Sequence, residues 1–216
     1  MTHVTLFTSG STKEPKEIRH LFADMQMHIQ RSIDEIGLTD KDTVLDVYPH
    51  NTIAHFTVTG IPAITAKSNY IAANFNPYTY FQLFNKYRPT YISLIPRHWD
   101  ILKNTKEWNS VDMSCVRYMV MGSGSITQEM INDFRNRGVK TVANWYGMTE
   151  MPPPVFIGYN TAYFDFTPLK GYHIEFTDEG ECIINGFYTN DMFDVKNRLY
   201  LGRKNIADGT TWKNNF

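Results

Sequence analysis

The chain has 216 residues, enough for one sizeable domain or two small ones, and its 42% hydrophobic and 20% charged residues exclude wholesale disorder. A net charge of -1 argues against a nucleic-acid-binding surface, and no apolar run approaches a membrane span or a signal peptide. Cys115 and Cys182 have neither disulfide-framework nor metal spacing. They read as buried thiols of a cytoplasmic, reducing environment.

The first apolar run, Val4-Thr5-Leu6-Phe7, empties into Thr8-Ser9-Gly10-Ser11-Thr12, with Pro15-Lys16 just beyond. Hydroxyls, free backbone N–H groups and a lysine after a strand make a candidate phosphate cradle. The alternative is a polar turn leading into a helix. Glu17 to Ile36 reads as that helix, because Ile18, Phe22, Met25, Ile29, Ile33 and Ile36 recur at helical spacing and Gly37 is a natural stop. Thr43 to Tyr48 reads as a strand closed by Pro49, and Pro62 to Ala66 as a weaker one. Pro77 opens a helix carrying Tyr80, Phe81, Phe84 and Tyr87 on one stripe. Tyr91 to Ile95 is a strand, followed by a short helix from Trp99 to Lys103.

Cys115 to Met121 is a strand running into Gly122-Ser123-Gly124-Ser125. That turn lacks the Gly-x-Ser-x-Gly spacing of a hydrolase nucleophile. Thr127 caps a helix to Arg137, which Gly138 ends. Thr141 to Trp145 is the last strand of the alternating series. Its loop, Asn144-Trp145-Tyr146-Gly147-Met148-Thr149-Glu150, offers an aromatic face, a hydroxyl and a carboxylate. Strands interleaved with helices imply a mostly parallel sheet flanked by helices, an α/β fold, with both loops at its carboxyl edge. Together the loops point to an ATP-handling site. The pattern changes at Pro152-Pro153-Pro154. Short β segments follow, with a hairpin turn at Asp178-Glu179-Gly180 and a last strand at Tyr200-Leu201. We expect an α/β nucleotide-binding core over residues 1–151 and a small β subdomain over 152–216, its tail frayed.

These motifs resemble the adenylate-forming superfamily of acyl-CoA synthetases, luciferases and peptide-synthetase adenylation domains. Its Ser/Thr/Gly-rich loop ending in Pro-Lys is matched by Thr8 to Thr12 and Pro15-Lys16, and its Tyr-Gly-x-Thr-Glu loop by Tyr146 to Glu150. Asn85 to Thr90 with the following strand and Pro96, and Arg117 to Ser125, resemble its intervening and adenine-side segments. Thr189-Asn190-Asp191 is similar to its Thr-Gly-Asp, and Leu199 to Lys204 to its Gly-Arg hinge approach. The resemblance implies a cut-down core without the family's N-terminal region and C-terminal lid domain. It implies ATP or AMP and Mg²⁺ as cofactors and a small carboxylic acid as substrate, joined as acyl-AMP with release of pyrophosphate. Thr8, Ser9, Gly10, Ser11, Thr12 and Lys16 would grip the β- and γ-phosphates. Gly122, Ser123 and Gly124 would line the adenine, Tyr146 would stack on it, and Asn144, Trp145 and Gly147 would complete that wall. Thr149 would touch the α-phosphate, Glu150 would hold Mg²⁺, and Asp191 with Arg203 would bind the ribose. His50 and His55 fall where the family places an aromatic or histidine near the carboxylate, and without a third ligand they predict no zinc. The implied partners are the nucleotide, the acid, and a second copy or a protein supplying the lid, with no nucleic acid and no membrane. The rival expectation is a module that holds a nucleotide or acyl adenylate without turnover and partners or regulates another protein.

Overall fold

The computed structural model describes residues 2–8 and 16–204, and the backbone of 211–212. The chain opens with β1 (His3–Phe7) and β2 (Glu17–Leu21), an antiparallel pair in which Val4 faces His20 and Phe7 faces Glu17. β2 falls where the sequence reads as helix. Ile18 and Phe22 fit helical spacing, but Glu17 to Leu21 is half-buried only at alternate residues, the period of a strand, once β1 takes its backbone hydrogen bonds. The helix α1 (Phe22–Ile36) therefore starts five residues late; Gly37 ends it at φ +64°, a conformation that favours glycine.

Next come β3 (Thr43–Asp46), α2 (Ile53–Thr57), α3 (Gly60–Thr65) and β4 (Asn69–Ala72). The strand expected at Pro62 to Ala66 is instead α3. Pro62 sits in its first turn, where a missing N–H costs nothing. Strand β4, only half-buried along one edge, went unread. The series continues with α4 (Pro77–Tyr87), β5 (Tyr91–Leu94), α5 (Pro96–Leu102), β6 (Tyr118–Met121), α6 (Gln128–Asn136) and β7 (Val142–Tyr146). Three caps match their residues. Asn76 and Thr127 accept backbone N–H groups at the starts of α4 and α6, and Pro77 occupies the first turn of α4.

The large sheet has six strands in the order β4-β3-β5-β6-β7-β8, parallel except for the last, β8 (Phe156–Tyr159). One face packs on α4 to α6 through Tyr80, Phe84, Trp99, Leu102, Ile131 and Phe134. The other packs on α1 and α3 through Ile29, Ile33, Ala63, Tyr118, Val120 and Trp145. Burial on both faces explains why the central strands are nearly continuous apolar runs. Beyond β8, five antiparallel strands form a second sheet: β9 (Ile174–Phe176), β10 (Glu181–Ile184), β11 (Phe187–Asp194), β12 (Leu199–Lys204) and β13 (Thr211–Trp212). Phe156, Phe164, Cys182, Ile184 and Phe193 form a third core between this sheet and the end of β7. Although β8 lies after the prolines, it pairs with β7. The fold is a mostly parallel, helix-flanked α/β sheet followed by a small β part. Among the described residues no helix is long and apolar enough to cross a membrane.

Candidate functional site

The mouth of the β1–β2 hairpin is closed by two hydrogen bonds. Thr8 N donates to Lys16 O at 3.0 Å, and Lys16 N donates to Thr8 Oγ1 at 3.2 Å. Thr8 and Lys16 thus flank the first loop, while Ser9, Gly10, Ser11 and Thr12 lie outside the described residues.

At the carboxyl edge of the large sheet, β6 ends in Gly122-Ser123-Gly124. A Cβ on Gly122 would lie 2.8 Å from the Trp145 carbonyl, so only glycine lets β6 turn beside β7. Ser123 has φ +61°, a costly conformation for a side-chain-bearing residue and one that clusters at functional sites. In β7 the side chains alternate. Trp145 packs into the core on the α1 face, beside Tyr118. Asn144 is buried too, and donates to Ala162 O at 3.1 Å. Tyr146 turns instead into the third core, so the strand does not bring Trp145 to the same side as Tyr146. Gly147 is pressed against Pro153, whose Cα would stand 2.6 Å from any Cβ there. Thr149 and Glu150, both half-buried, lie in a turn in which Met148 N donates to Met151 O at 2.9 Å.

Tyr146 is 7% exposed, stacks on Phe156 with ring centroids 4.6 Å apart, and meets Phe193 edge-on. Its hydroxyl donates to Asp191 Oδ2 at 2.8 Å. Asp191, on β11, also accepts from Tyr200 Oη at 3.1 Å and from Arg203 Nε at 3.1 Å and Nη2 at 3.4 Å, both on β12. Desolvation disfavours the charged guanidinium, but the adjacent Asp191 carboxylate more than offsets it and raises the Arg203 pKa. Burial beside the same carboxylate pushes the Tyr146 hydroxyl well above its ordinary value, so it remains a donor. The Thr189 hydroxyl accepts from Asp191 N at 3.1 Å, and Asn190 takes φ +61° between them. A glycine or asparagine suits that turn.

A second buried carboxylate, Asp46, closes β3 at the same edge. It accepts from His55 Nδ1 at 2.7 Å, Thr59 Oγ1 at 2.8 Å, Tyr48 N at 3.0 Å and Tyr70 Oη at 3.0 Å. Burial alone would raise its pKa, but these four donors, His55 foremost, hold it below the usual carboxylate range. His50 lies against His55 with ring centroids 4.6 Å apart. The sequence reading missed Asp46 and Tyr200 as network members, and also His20, whose Nε2 lies 2.7 Å from Thr149 O. Tyr200 alternates with Leu199 and Leu201 in a strand, a signal that could have marked it as an inward polar group.

Comparison with known proteins follows this geometry. Residues 2–173 match the family described as AMP-binding enzyme. An indoleacetate–CoA ligase of Aromatoleum aromaticum is 26% identical over 148 residues, covering 68% of this chain and 29% of its own length. A feruloyl-CoA synthase of an Amycolatopsis species is 23% identical over 153 residues, covering 70% and 31%. The Bacillus subtilis O-succinylbenzoate coenzyme A synthetase, solved with ATP and magnesium, superposes with a TM-score of 0.74 at 17% identity, covering 97% of this chain and 52% of that one. ATP-bound MatB of Rhodopseudomonas palustris gives 0.73 at 18% identity, covering 92% and 47%. The chain thus spans under a third of the relatives it matches and about half of these solved structures. With a match over residues 2–173 and the same fold, the chain belongs to the AMP-binding enzyme family.

Proposed function

We propose that the chain forms the nucleotide-binding core of an acid–AMP ligase. A carboxylate oxygen attacks the α-phosphorus of ATP. The bond from that phosphorus to the bridging oxygen breaks, and its electron pair leaves with pyrophosphate. The observation that carries the reading is the Tyr146–Asp191 hydrogen bond of 2.8 Å. It joins two residues 45 positions apart, on different sheets, at the carboxyl edge where α/β sheets bind ligands. An adenosine needs an aromatic neighbour for its base and an acceptor for its ribose hydroxyls, and this pair brings both residue types to one edge. Thr8 and Lys16 serve the phosphate tail, where the lysine offsets negative charge. Gly122, Ser123 and Gly124 would line the ring, and Arg203 holds Asp191 for the ribose.

Among the described residues no three His, Cys, Asp or Glu side chains could hold a metal together. Magnesium needs no such cluster, because it commonly takes one or two carboxylates and completes its shell with water and phosphate oxygens. Glu150 would be that carboxylate, and the ion, when bound, would neutralise phosphate charge. Thr149 would present its hydroxyl to the α-phosphate.

ATP–pyrophosphate exchange across a panel of carboxylic acids tests the reading. The named acids of the two relatives put aryl-acetates and cinnamates at the head of that panel. Exchange with at least one acid is expected, and silence with all of them rejects turnover. Lys13 and Glu17, where the first loop of the adenylate-forming family usually carries glycine, favour a second reading in which the chain holds a nucleotide without turning it over. AMP heat in titration calorimetry together with no exchange would select it.

A further inference from the structure

The β1–β2 hairpin belongs to neither larger sheet. Two strands alone are marginally stable, so the direction in which such a ribbon points is set by the few contacts that fasten it. Leu6 is fully buried, and β2 runs straight into α1. His20 ties the ribbon to the Tyr146–Met151 loop. On β2 it shares the half-buried face with Ile18, and its Nε2 lies 2.7 Å from the carbonyl of Thr149, 129 residues away. A carbonyl can only accept, so the imidazole N–H is the donor.

That carbonyl begins the peptide plane between Thr149 and Glu150, and fixing it limits the directions both side chains can take. The other end of the loop is held separately. Tyr172 Oη donates to Pro152 O at 2.6 Å, with the Arg31 guanidinium 4.5 Å above its ring and His28 stacked beside it. Lys16 lies four residues before His20 on an extended strand, about 13 Å along the chain.

We propose that His20 is a positioning residue that holds the phosphate-gripping hairpin in register with the Thr149–Glu150 turn. The inference rests on the nucleotide reading above. It gives a result that general loss of structure would not. ATP spans both loops, whereas AMP lacks the β- and γ-phosphates assigned to the hairpin. His20→Ala therefore lowers affinity for ATP with Mg²⁺ tenfold or more and changes AMP affinity less than threefold. His20→Gln, whose amide can donate to the same carbonyl, recovers much of the ATP binding.

Titration calorimetry on the full chain, with circular dichroism to confirm folding, reads both ligands. Equal losses for ATP and AMP, or no loss for either, overturn the proposal. A nucleotide-free arm measures hydrogen exchange in residues 17–21 and 147–151. His20→Ala should speed exchange in both segments, and unchanged exchange in both overturns the strut itself. A wild-type chain that binds neither nucleotide rejects the nucleotide reading and the positioning role with it; faster exchange in the variant would then leave the strut as a structural contact alone.

Discussion

Asp46 and Asp191 are both buried, 1% and 3% exposed, and each receives four hydrogen bonds. Their surroundings differ in origin. Every donor to Asp46 comes from the stretch Tyr48 to Tyr70, which runs from the end of β3 into the neighbouring β4, and its side chain has no exposure. The donors to Asp191 come from β7 on one sheet and β12 on the other, and its ion-pair partner Arg203 is 47% exposed. A sealed carboxylate with local donors stabilises its own fold. One whose donors straddle two sheets, with a cation reaching solvent, can exchange a donor for a ligand hydroxyl. The contrast sets Asp46 apart as a structural carboxylate and leaves Asp191 as the one proposed for binding.

The sharpest way to break this contrast is Asp46→Ala. It strands His55, Thr59, Tyr70 and the Tyr48 N–H without their acceptor, and should cost about 3–5 kcal/mol in urea unfolding. A loss no larger than that of a surface substitution would sink the assignment.

Acid titration separates the buried groups further. Burial, assisted by Arg97, lowers the His98 pKa from 6.5 to about 4. An imidazole depressed in the folded state stabilises above its unfolded pKa and loses that contribution as pH falls, here between 6.5 and about 4. The depressed Asp46 carboxyl has the same sign, but its loss begins only as pH falls into the ordinary aspartate range and continues below it. Stability should drop by roughly 2–3 kcal/mol across the His98 window. In His98→Gln that slope should become shallower, the remainder coming from His28, which burial also lowers to about 4. An unchanged slope would remove His98 from the account.

Asp191→Asn tests the other carboxylate. Its tyrosine and arginine partners keep a carbonyl oxygen to bond, so a cost of about 1–3 kcal/mol is expected. AMP affinity, by contrast, should fall at least tenfold in calorimetry, equivalent to about 1.4 kcal/mol. A large stability loss with AMP binding intact would reverse the roles of the two aspartates. Arg203→Lys is the mildest change. It keeps the charge and loses the two-nitrogen contact, while both tyrosines still hold Asp191, so less than about 1 kcal/mol should be lost in thermal unfolding.

Sequence alone determined the features that are local in the chain. The alternation of apolar strands with capped helices fixes an α/β fold, because burial on both faces makes central strands continuously apolar. Pro77, Thr127 and Gly37 announce helix ends through their own local chemistry, a fixed φ, a capping hydroxyl and a left-handed backbone. Tyr146 and Asp191 were legible as candidates from their motifs.

Tertiary structure alone decided what depends on partners far along the chain. Glu17 to Leu21 is a strand because His3 to Phe7 lies beside it, and its own residues also suit a helix. Phe156 to Tyr159 joins the large sheet because the edge of β7 is open to it. That Tyr146 donates to Asp191, that Trp145 turns away into the core, and that His20 reaches Thr149 follow from packing. Hydrogen bonds across 45 or 129 residues leave no periodicity to read, since only the folded chain brings donor and acceptor together.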